Sequence, residues 1–141
     1  MQFFQVDPWV GRGIRDFGSR VVDHAFTPSG DELAVVTARG VSFLETNRWT
    51  TRRTLPLALA DNARIIFTPD GQSFWLAQSA REAALYDLRT LRPTLPLPDN
   101  VSPVALSADG RYLAVEVEAQ RLQVWDLVET RRKLQELGLV R

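Results

Sequence analysis

Short apolar runs on either side of glycine-containing turns set the pattern of this chain, and they predict β-strands. Apolar runs come directly before a turn at residues 21–26, 63–67 and 104–106. Other apolar runs follow the turns at residues 33–36, 74–77 and 112–115. The runs after the turns show no polar alternation, which is typical of strands that are covered on both faces. We therefore expect two strands around each turn, the second of them buried on both sides.

Two further strands complete each predicted unit. Third strands are predicted at residues 41–44, 84–86 and 122–125. A more polar fourth strand is predicted at 52–57 and 92–97, and it contains Pro56 or Pro96. Because proline lacks the N–H that a central strand needs, it is confined to edge strands. The first two units therefore have four short strands with the last one at an edge, and in the third unit a helix replaces the fourth strand.

Three phrases recur in one phase, so the units are internal repeats. The turn phrase is Phe-Thr-Pro-Ser-Gly at 26–30, Phe-Thr-Pro-Asp-Gly at 67–71 and Leu-Ser-Ala-Asp-Gly at 106–110, with glycines 41 and 39 residues apart. Thr-Leu-Pro-Leu occurs at 54–57 and again, 40 residues later, at 94–97. The third strands end as Phe-Leu-Glu at 43–45, Leu-Tyr-Asp at 85–87 and Val-Trp-Asp at 124–126. Four strands repeating about every 40 residues describe a β-propeller blade.

These phrases resemble the WD40 repeat. Trp125 and Asp126 form the dipeptide for which the family is named, and residues 86–87 and 44–45 are looser forms of it. The likeness covers nearly the whole chain. The family's Gly-His dipeptide, expected about 14 residues before the turn glycine, is absent from every copy. The family's Asp-His-Ser/Thr-Trp network therefore cannot form, and we interpret Trp125 and Asp126 as packing and turn residues. The Pro-Asp-Gly turns are also similar to those of TolB-like propellers.

The predicted fold is all-β: a partial β-propeller of about three four-stranded blades plus the last strands of a preceding blade, with a short C-terminal α-helix. The propeller segment spans residues 1–126. We divide it into a blade remnant at 1–18 and blades at 19–57, 58–97 and 98–126. The helix and tail occupy residues 127–141.

The blade remnant is inferred from its phase in the repeat. Asp7 precedes Gly30 by 23 residues, as Asp87 precedes Gly110. This phase places a third strand at 1–7 and a fourth at 10–17. The large apolar side chains expected to pack on the next blade are Phe3, Phe4, Val6 and Trp9.

The periodicity becomes helical after Asp126. Apolar positions share one helical face at Leu127, Leu134 and Leu137. We expect Asp126 to cap this helix in a capping box with Glu129, and Gly138 followed by Leu139 to end it as a Schellman motif. The segment resembles the tail of large bacterial WD40 proteins, in which the propeller follows a Ser/Thr kinase or another signalling module. No kinase motif lies in this chain, so the resemblance implies architecture and not activity.

Composition excludes several classes of function. The 141 residues include no cysteine, so disulfides, thiolate catalysis and cysteine-ligated zinc are excluded. Lysine plus arginine and aspartate plus glutamate number 17 each, so no net charge attracts nucleic acid or a membrane surface. No apolar run approaches the length of a membrane span, and the first residues lack the regions of a secretory signal. We therefore expect a cytoplasmic protein with no nucleic-acid or membrane partner.

Candidate chemistry is sparse. His24 follows Asp23 in a predicted inner strand, but neighbours along a strand point to opposite faces. We therefore interpret His24, the single histidine, as structural rather than as a general base. Turn geometry explains the aspartates that lie in or beside the glycine turns, Asp31, Asp70 and Asp109. The sequence predicts no catalytic residue, no cofactor-binding residue and no metal ligand.

Basic and acidic surface groups have ordinary interpretations as well. Arg48, Arg52 and Arg53 beside Trp49 could stack nucleic-acid bases; a solvated edge strand is the favoured interpretation. Residues 131–133 are interpreted as a solvated helix face. Glu116 and Glu118, which follow the second strand of the third unit, are expected on one propeller face. Two acidic residues alone do not identify a ligand.

The blade number poses the main functional question, because propellers close with about 4–8 blades. The chain is expected to be part of a longer product, to close a ring with another chain as a homo-oligomer, or to persist as an open stack. We expect a non-catalytic protein-interaction scaffold in a larger bacterial signalling protein, or one that closes a ring by association. Its partners would be proteins or further blades. The alternatives are a fragment of a TolB-like propeller or of a metal-dependent propeller hydrolase or lactonase, and a non-functional gene remnant.

Overall fold

A computed structural model describes residues 2–5 and 10–138, with side chains from residue 15 to residue 138. Within this part of the chain, thirteen strands precede one helix. The strands are β1 (Gln2–Gln5), β2 (Val10–Ile14), β3 (Val21–Phe26), β4 (Glu32–Thr37), β5 (Gly40–Glu45), β6 (Thr50–Pro56), β7 (Arg64–Phe67), β8 (Ser73–Ala77), β9 (Ala83–Asp87), β10 (Pro93–Pro96), β11 (Val101–Leu106), β12 (Tyr112–Val117) and β13 (Arg121–Asp126). The helix is α1 (Leu127–Glu136).

Within each sheet, strands that follow one another in sequence pair with one another in antiparallel fashion. β1 pairs with β2, β3 to β6 form the first four-stranded sheet, and β7 to β10 form the second. The last sheet has three strands, β11 to β13, and α1 follows where a fourth strand would stand. The all-β class, the strands around each turn and the short C-terminal helix are thus as the sequence predicts.

Alternation along β8 divides the core between the two faces of the second four-stranded sheet. Phe74 and Leu76 are buried against the first four-stranded sheet, in a cluster with Val36, Val41 and Phe43. Successive residues of a strand point to opposite faces. Trp75 therefore lies in the other cluster, where the three-stranded sheet contributes its buried residues, Val101, Leu113 and Val115.

Burial on both faces is confirmed for two of the three central strands. Every residue of β4 is buried, and so is β8 from Phe74 to Ala77. The expectation is wrong for β12, where Leu113 and Val115 are buried but Tyr112 and Glu116 are exposed. The reason is that one face of the three-stranded sheet has no further sheet against it within the described residues.

The outer face of the first four-stranded sheet, unlike that of the three-stranded sheet, is covered. On the face of the first four-stranded sheet that points away from the second, Leu33, Val35 and Leu44 are buried. Phe17, Val21 and Trp49 pack against them. Val6 and Trp9 lie outside the described residues, as do the side chains of Phe3 and Phe4, so the expected packing of the blade remnant stays a prediction.

The helix begins as predicted but differs in two details. The Asp126 carboxylate caps α1 by accepting the backbone N–H groups of Val128 and Glu129. The reciprocal half of a capping box is replaced, because the Glu129 side chain instead pairs with Arg132. Leu127 packs against the cluster that contains Trp75 and Leu113, whereas Leu137 is exposed, so the predicted apolar face is only partly used.

The end of α1 agrees with a Schellman motif in its described half. Gly138 has a φ of +72° and donates its N–H to the carbonyl of Gln135. The second bond of that motif would involve Leu139, which lies outside the described residues. No helix in residues 2–5 and 10–138 is long and apolar enough to cross a membrane.

Candidate functional site

The recurring turns owe their shape to a hydroxyl, a carboxylate and a glycine. In the second copy, Asp70 Oδ1 accepts from the Thr68 hydroxyl at 2.6 Å and from the Gln72 N–H at 2.9 Å. Gly71 follows with a φ of +71°, a conformation that side chains other than glycine rarely adopt. The Thr68 hydroxyl, followed by the Gln72 N–H, holds the pKa of Asp70 below its ordinary value.

The third copy repeats this arrangement, and the first copy varies it. Asp109 Oδ1 accepts from the Ser107 hydroxyl at 2.7 Å, and this bond lowers the pKa of Asp109. In the first copy, Ser29 takes the aspartate's place and accepts the Asp31 N–H at 3.3 Å. Asp31 is therefore not the counterpart of Asp70, contrary to the grouping made from the sequence.

The acid that ends each third strand caps the segment that follows it. Glu45 accepts the N–H groups of Asn47 and Arg48, and Asp87 accepts that of Thr90. These backbone bonds lower the pKa of both carboxyl groups. The corresponding acid of the third copy is Asp126, so its predicted role as the cap of α1 is confirmed.

Side chains at one repeated position join neighbouring sheets. Asp23 Oδ2, in β3, accepts the backbone N–H of Ile65 in β7 at 2.9 Å. Arg64, 41 residues after Asp23, donates to the carbonyl of Val104 in β11 at 3.4 Å. Each of these residues stands three places before the end of its strand. The Asp23 carboxylate also accepts the His24 backbone N–H, so it serves the backbone and does not orient the imidazole.

A second junction lies near the outer edge of the first four-stranded sheet. Arg53 Nη2 pairs with Glu32 Oε1 at 3.1 Å, and the side chains are only 26% and 9% exposed. Arg53 Nη1 also donates to the carbonyl of Arg89 at 3.2 Å and to that of Leu88, both in the turn that follows β9 of the second sheet. Its guanidinium lies 4.9 Å from the centroid of the Phe43 ring. The solvated-edge interpretation is therefore wrong for Arg53.

The basic patch suggested by the sequence is not assembled. Arg48 and Arg52 are exposed, as expected of a solvated edge. Trp49 packs on the Leu33 cluster, and its carbonyl accepts from Arg15 Nη1 at 3.1 Å. The indole and the arginines therefore do not form the planar stacking surface that unpaired bases require.

A polar cleft of about 490 Å³ lies between the turns at 27–31 and 69–71. Its other walls include Glu32, Arg52 and Leu88. Glu32 Oε2 is buried and has no hydrogen-bond partner in the part of the chain described. The cleft is open to solvent and follows the junction between two sheets, so it can receive an extended or protruding segment of another molecule.

The remaining candidates are dispersed. His24 is exposed on β3, and its structural role stays a prediction. Glu116 is exposed on β12, and Glu118 pairs with Arg121 at 3.0 Å. Residues 131–133 are exposed on α1, as expected of a solvated helix face. In residues 2–5 and 10–138, no three histidine, aspartate or glutamate side chains group as metal ligands do.

Sequence reasoning missed the two junctions between sheets. The 41-residue spacing of Asp23 and Arg64 was a usable signal, since both precede the aromatic end of a first strand by three places. The Glu32–Arg53 pair carries no such signal, because neither residue recurs in the later copies.

Comparisons with known proteins establish a likeness of fold alone. No family model matches the chain, and no curated protein matches it. Among solved structures, it is similar to a chain of Kuenenia stuttgartiensis hydrazine synthase, with a TM-score of 0.62 and 15% sequence identity. The match covers 77% of this chain and 33% of that chain. The present chain thus spans about a third of the length of the structure that it resembles.

Proposed function

We propose that this chain is a non-catalytic protein-interaction module, built as a segment of a WD40-like β-propeller. It serves either in a larger bacterial signalling protein or by closing a ring through association. The single observation that carries the proposal is the cleft at the junction of two stacked sheets, walled by two turns of the same repeated design. A rigid scaffold that presents such turns is a common basis for recognition.

The bonding of the charged groups supports a binding role. The acids at the repeated positions accept local N–H and hydroxyl donors, and Asp23 and Arg53 join sheets. Groups with such bonds hold the loops in place. The exposed charges around the cleft, on Asp31 and Arg52, are free to meet side chains of a partner.

The propeller assignment is supported by two features. Sheets of consecutive antiparallel strands recur with the 40-residue phase, and the first strands β3, β7 and β11 approach one another at Asp23 and Arg64. Radially repeated sheets with converging first strands are the design of a propeller.

Capture of a partner by cleft variants tests the proposal. The immobilised chain is compared with Arg52→Glu and Asp31→Lys, which change exposed cleft residues, and with Arg92→Glu, which changes an exposed arginine directly before β10. We expect a partner identified by mass spectrometry to bind the parent chain and the Arg92 variant, and to bind the two cleft variants at least about tenfold more weakly.

Two results would contradict the proposal. Equal capture by all four proteins would exclude the cleft as the binding surface. Stoichiometric uptake of a divalent metal, accompanied by ester or lactone hydrolysis that a chelator abolishes, would favour the propeller hydrolase instead.

A further inference from the structure

Among the residues that the structure describes, one face of the three-stranded sheet is uncovered and apolar. This open face carries Tyr112, Ala114 and Glu116 on β12 and Leu122 and Val124 on β13, where Ala114 pairs with Val124 and Glu116 with Leu122. Leu122 is 67% exposed and Val124 65%. Contiguous apolar surface of this kind, bordered by charge, marks an interface in soluble proteins.

The repeat shows that this face is built to be covered. The position of Val124 is occupied by Phe43 in the first copy and by Leu85 in the second. Both pack against the sheet that follows, Phe43 fully buried and Leu85 partly buried. The position of Leu122 is likewise taken by Val41, which is fully buried. The occupant of the open face is therefore another β-sheet with an apolar face.

Charge distinguishes this face from its counterparts. Glu116 stands where the first two copies have Val36 and Ala77, both fully buried. A sheet that covers the open face must supply a cation or hydrogen-bond donors to Glu116, since a buried unpaired carboxylate is costly. At the other end of β12, the Arg111 guanidinium lies 5.3 Å from the Tyr112 ring centroid and is about half exposed.

A second copy of this chain meets both requirements. In a two-fold arrangement with antiparallel β12 strands and the small Ala114 at the axis, Glu116 of one copy faces Tyr112 of the other, beside whose ring the Arg111 guanidinium lies. Arg111 already bonds Asp126 Oδ2 at 3.0 Å, and its remaining donors can serve a second carboxylate. Such an interface uses the same patch on both partners, as two-fold dimers do.

We propose that the open face binds the same face of a second copy, giving a two-fold dimer. The dimer proposal shares with the proposed function only the premise that these sheets stack face to face. It does not use the cleft, which lies between the first and second four-stranded sheets. Loss of cleft binding and loss of the dimer are therefore separate results.

Sedimentation velocity across a concentration series tests the dimer on the full chain. We expect a concentration-dependent dimer that Val124→Lys weakens by about a hundredfold, because each dimer would then bury two added charges. The matched control is Phe26→Lys, which changes a residue 57% exposed on the first four-stranded sheet. This control should dimerise like the parent chain. Glu116→Gln should make dimerisation weaker and less dependent on salt.

The orientation has a separate test, since the chain contains no cysteine. Ala114→Cys introduces a single thiol near the proposed axis, and a short bis-maleimide should link two copies. Ser29→Cys, in the cleft, should give no link. A monomer at every concentration would overturn the proposal. So would dimers that persist in Val124→Lys, association that Phe26→Lys abolishes, or equal linking of both cysteine variants. The circular dichroism spectrum of each variant checks that it is folded.

Discussion

At the scale of single residues, the turn glycine Gly71 matters for backbone conformation and not for space. A Cβ built on Gly71 meets no atom within 4 Å, yet the φ of that residue is +71°. The cost of a substitution at Gly71 is therefore backbone strain alone. A substitution at Gly110 would add a steric clash, because a Cβ there would come within 3.0 Å of the Pro69 side chain. This separation makes Gly71 a clean probe of the turn.

Gly71→Ala should lower the free energy of unfolding by about 1 kcal/mol, and the β-branched Gly71→Val by more. Gly71→Asn should cost less than Gly71→Ala, since asparagine tolerates the left-handed region. Urea unfolding followed by circular dichroism measures the free energies of unfolding and so ranks the three variants. If alanine and asparagine prove equally harmless, the turn does not need a positive φ.

The carboxylate beside that glycine makes stability depend on pH. The folded state lowers the pKa of Asp70 below its ordinary value of 3.8, chiefly through the Thr68 hydroxyl. A lowered pKa means that the ionised form is favoured on folding, so the stabilisation is complete above 3.8 and is lost as pH falls through the folded value.

Asp70→Asn removes that titration. We expect the parent chain to be the more stable at neutral pH, and the difference in urea midpoint to shrink as the pH is taken below 3.8. Asp31→Asn, in the neighbouring turn but outside the repeated position, is the control. A difference that stays constant down to the acid limit would show that the bond to Thr68 does not depend on ionisation.

At the scale of elements, the stacking of sheets depends on polar junctions as well as apolar cores. Asp23 joins β3 to β7, and Arg53 joins β6 to the turn that follows β9. Among the ion pairs described, the Glu32–Arg53 pair is the most deeply buried. Removing one partner therefore leaves the charge of the other buried without a counter-ion.

Arg53→Met should lower the free energy of unfolding by about 3 kcal/mol, because Glu32 stays buried without its cation. The double variant Glu32→Gln/Arg53→Met should recover part of this loss, since the uncompensated charge is gone. Arg52→Met, at an exposed site on the same strand, should change stability by less than about 0.5 kcal/mol. Denaturant unfolding of the parent chain and the three variants measures these differences. A double variant no more stable than Arg53→Met would contradict the electrostatic explanation.

The strands and turns of this fold were predictable because their signals are local and repeated. Apolar runs located the first three strands of each unit, and Pro56 and Pro96 correctly placed the fourth at an edge. The junctions were not predictable, since a pair such as Glu32 and Arg53 forms only once strands and sheets are in register. The exposure of Leu137 and the pairing of Glu129 likewise depend on how α1 packs against β13. The hydrophobic periodicity of the sequence does not predict that packing.

At the scale of the whole molecule, the second four-stranded sheet packs between the first four-stranded sheet and the three-stranded sheet. The second four-stranded sheet has a buried cluster on both faces, and the three-stranded sheet has one on a single face. In such arrays, stability is close to a sum of unit and nearest-neighbour terms. The position of a sheet in the array should therefore decide how far a core substitution spreads.

Leu113→Ala provides the test, because Leu113 is fully buried in the cluster between the second four-stranded sheet and the three-stranded sheet. We expect it to cost about 2–5 kcal/mol locally and to speed amide exchange in β11 to β13, with β3 to β6 remaining protected. Phe74→Ala, in the cluster on the opposite face of the second sheet, should speed exchange in both four-stranded sheets. Hydrogen exchange with mass spectrometry at low protein concentration, where a dimer dissociates, measures both variants. Uniform loss of protection in either variant would mean that the array unfolds as one cooperative unit.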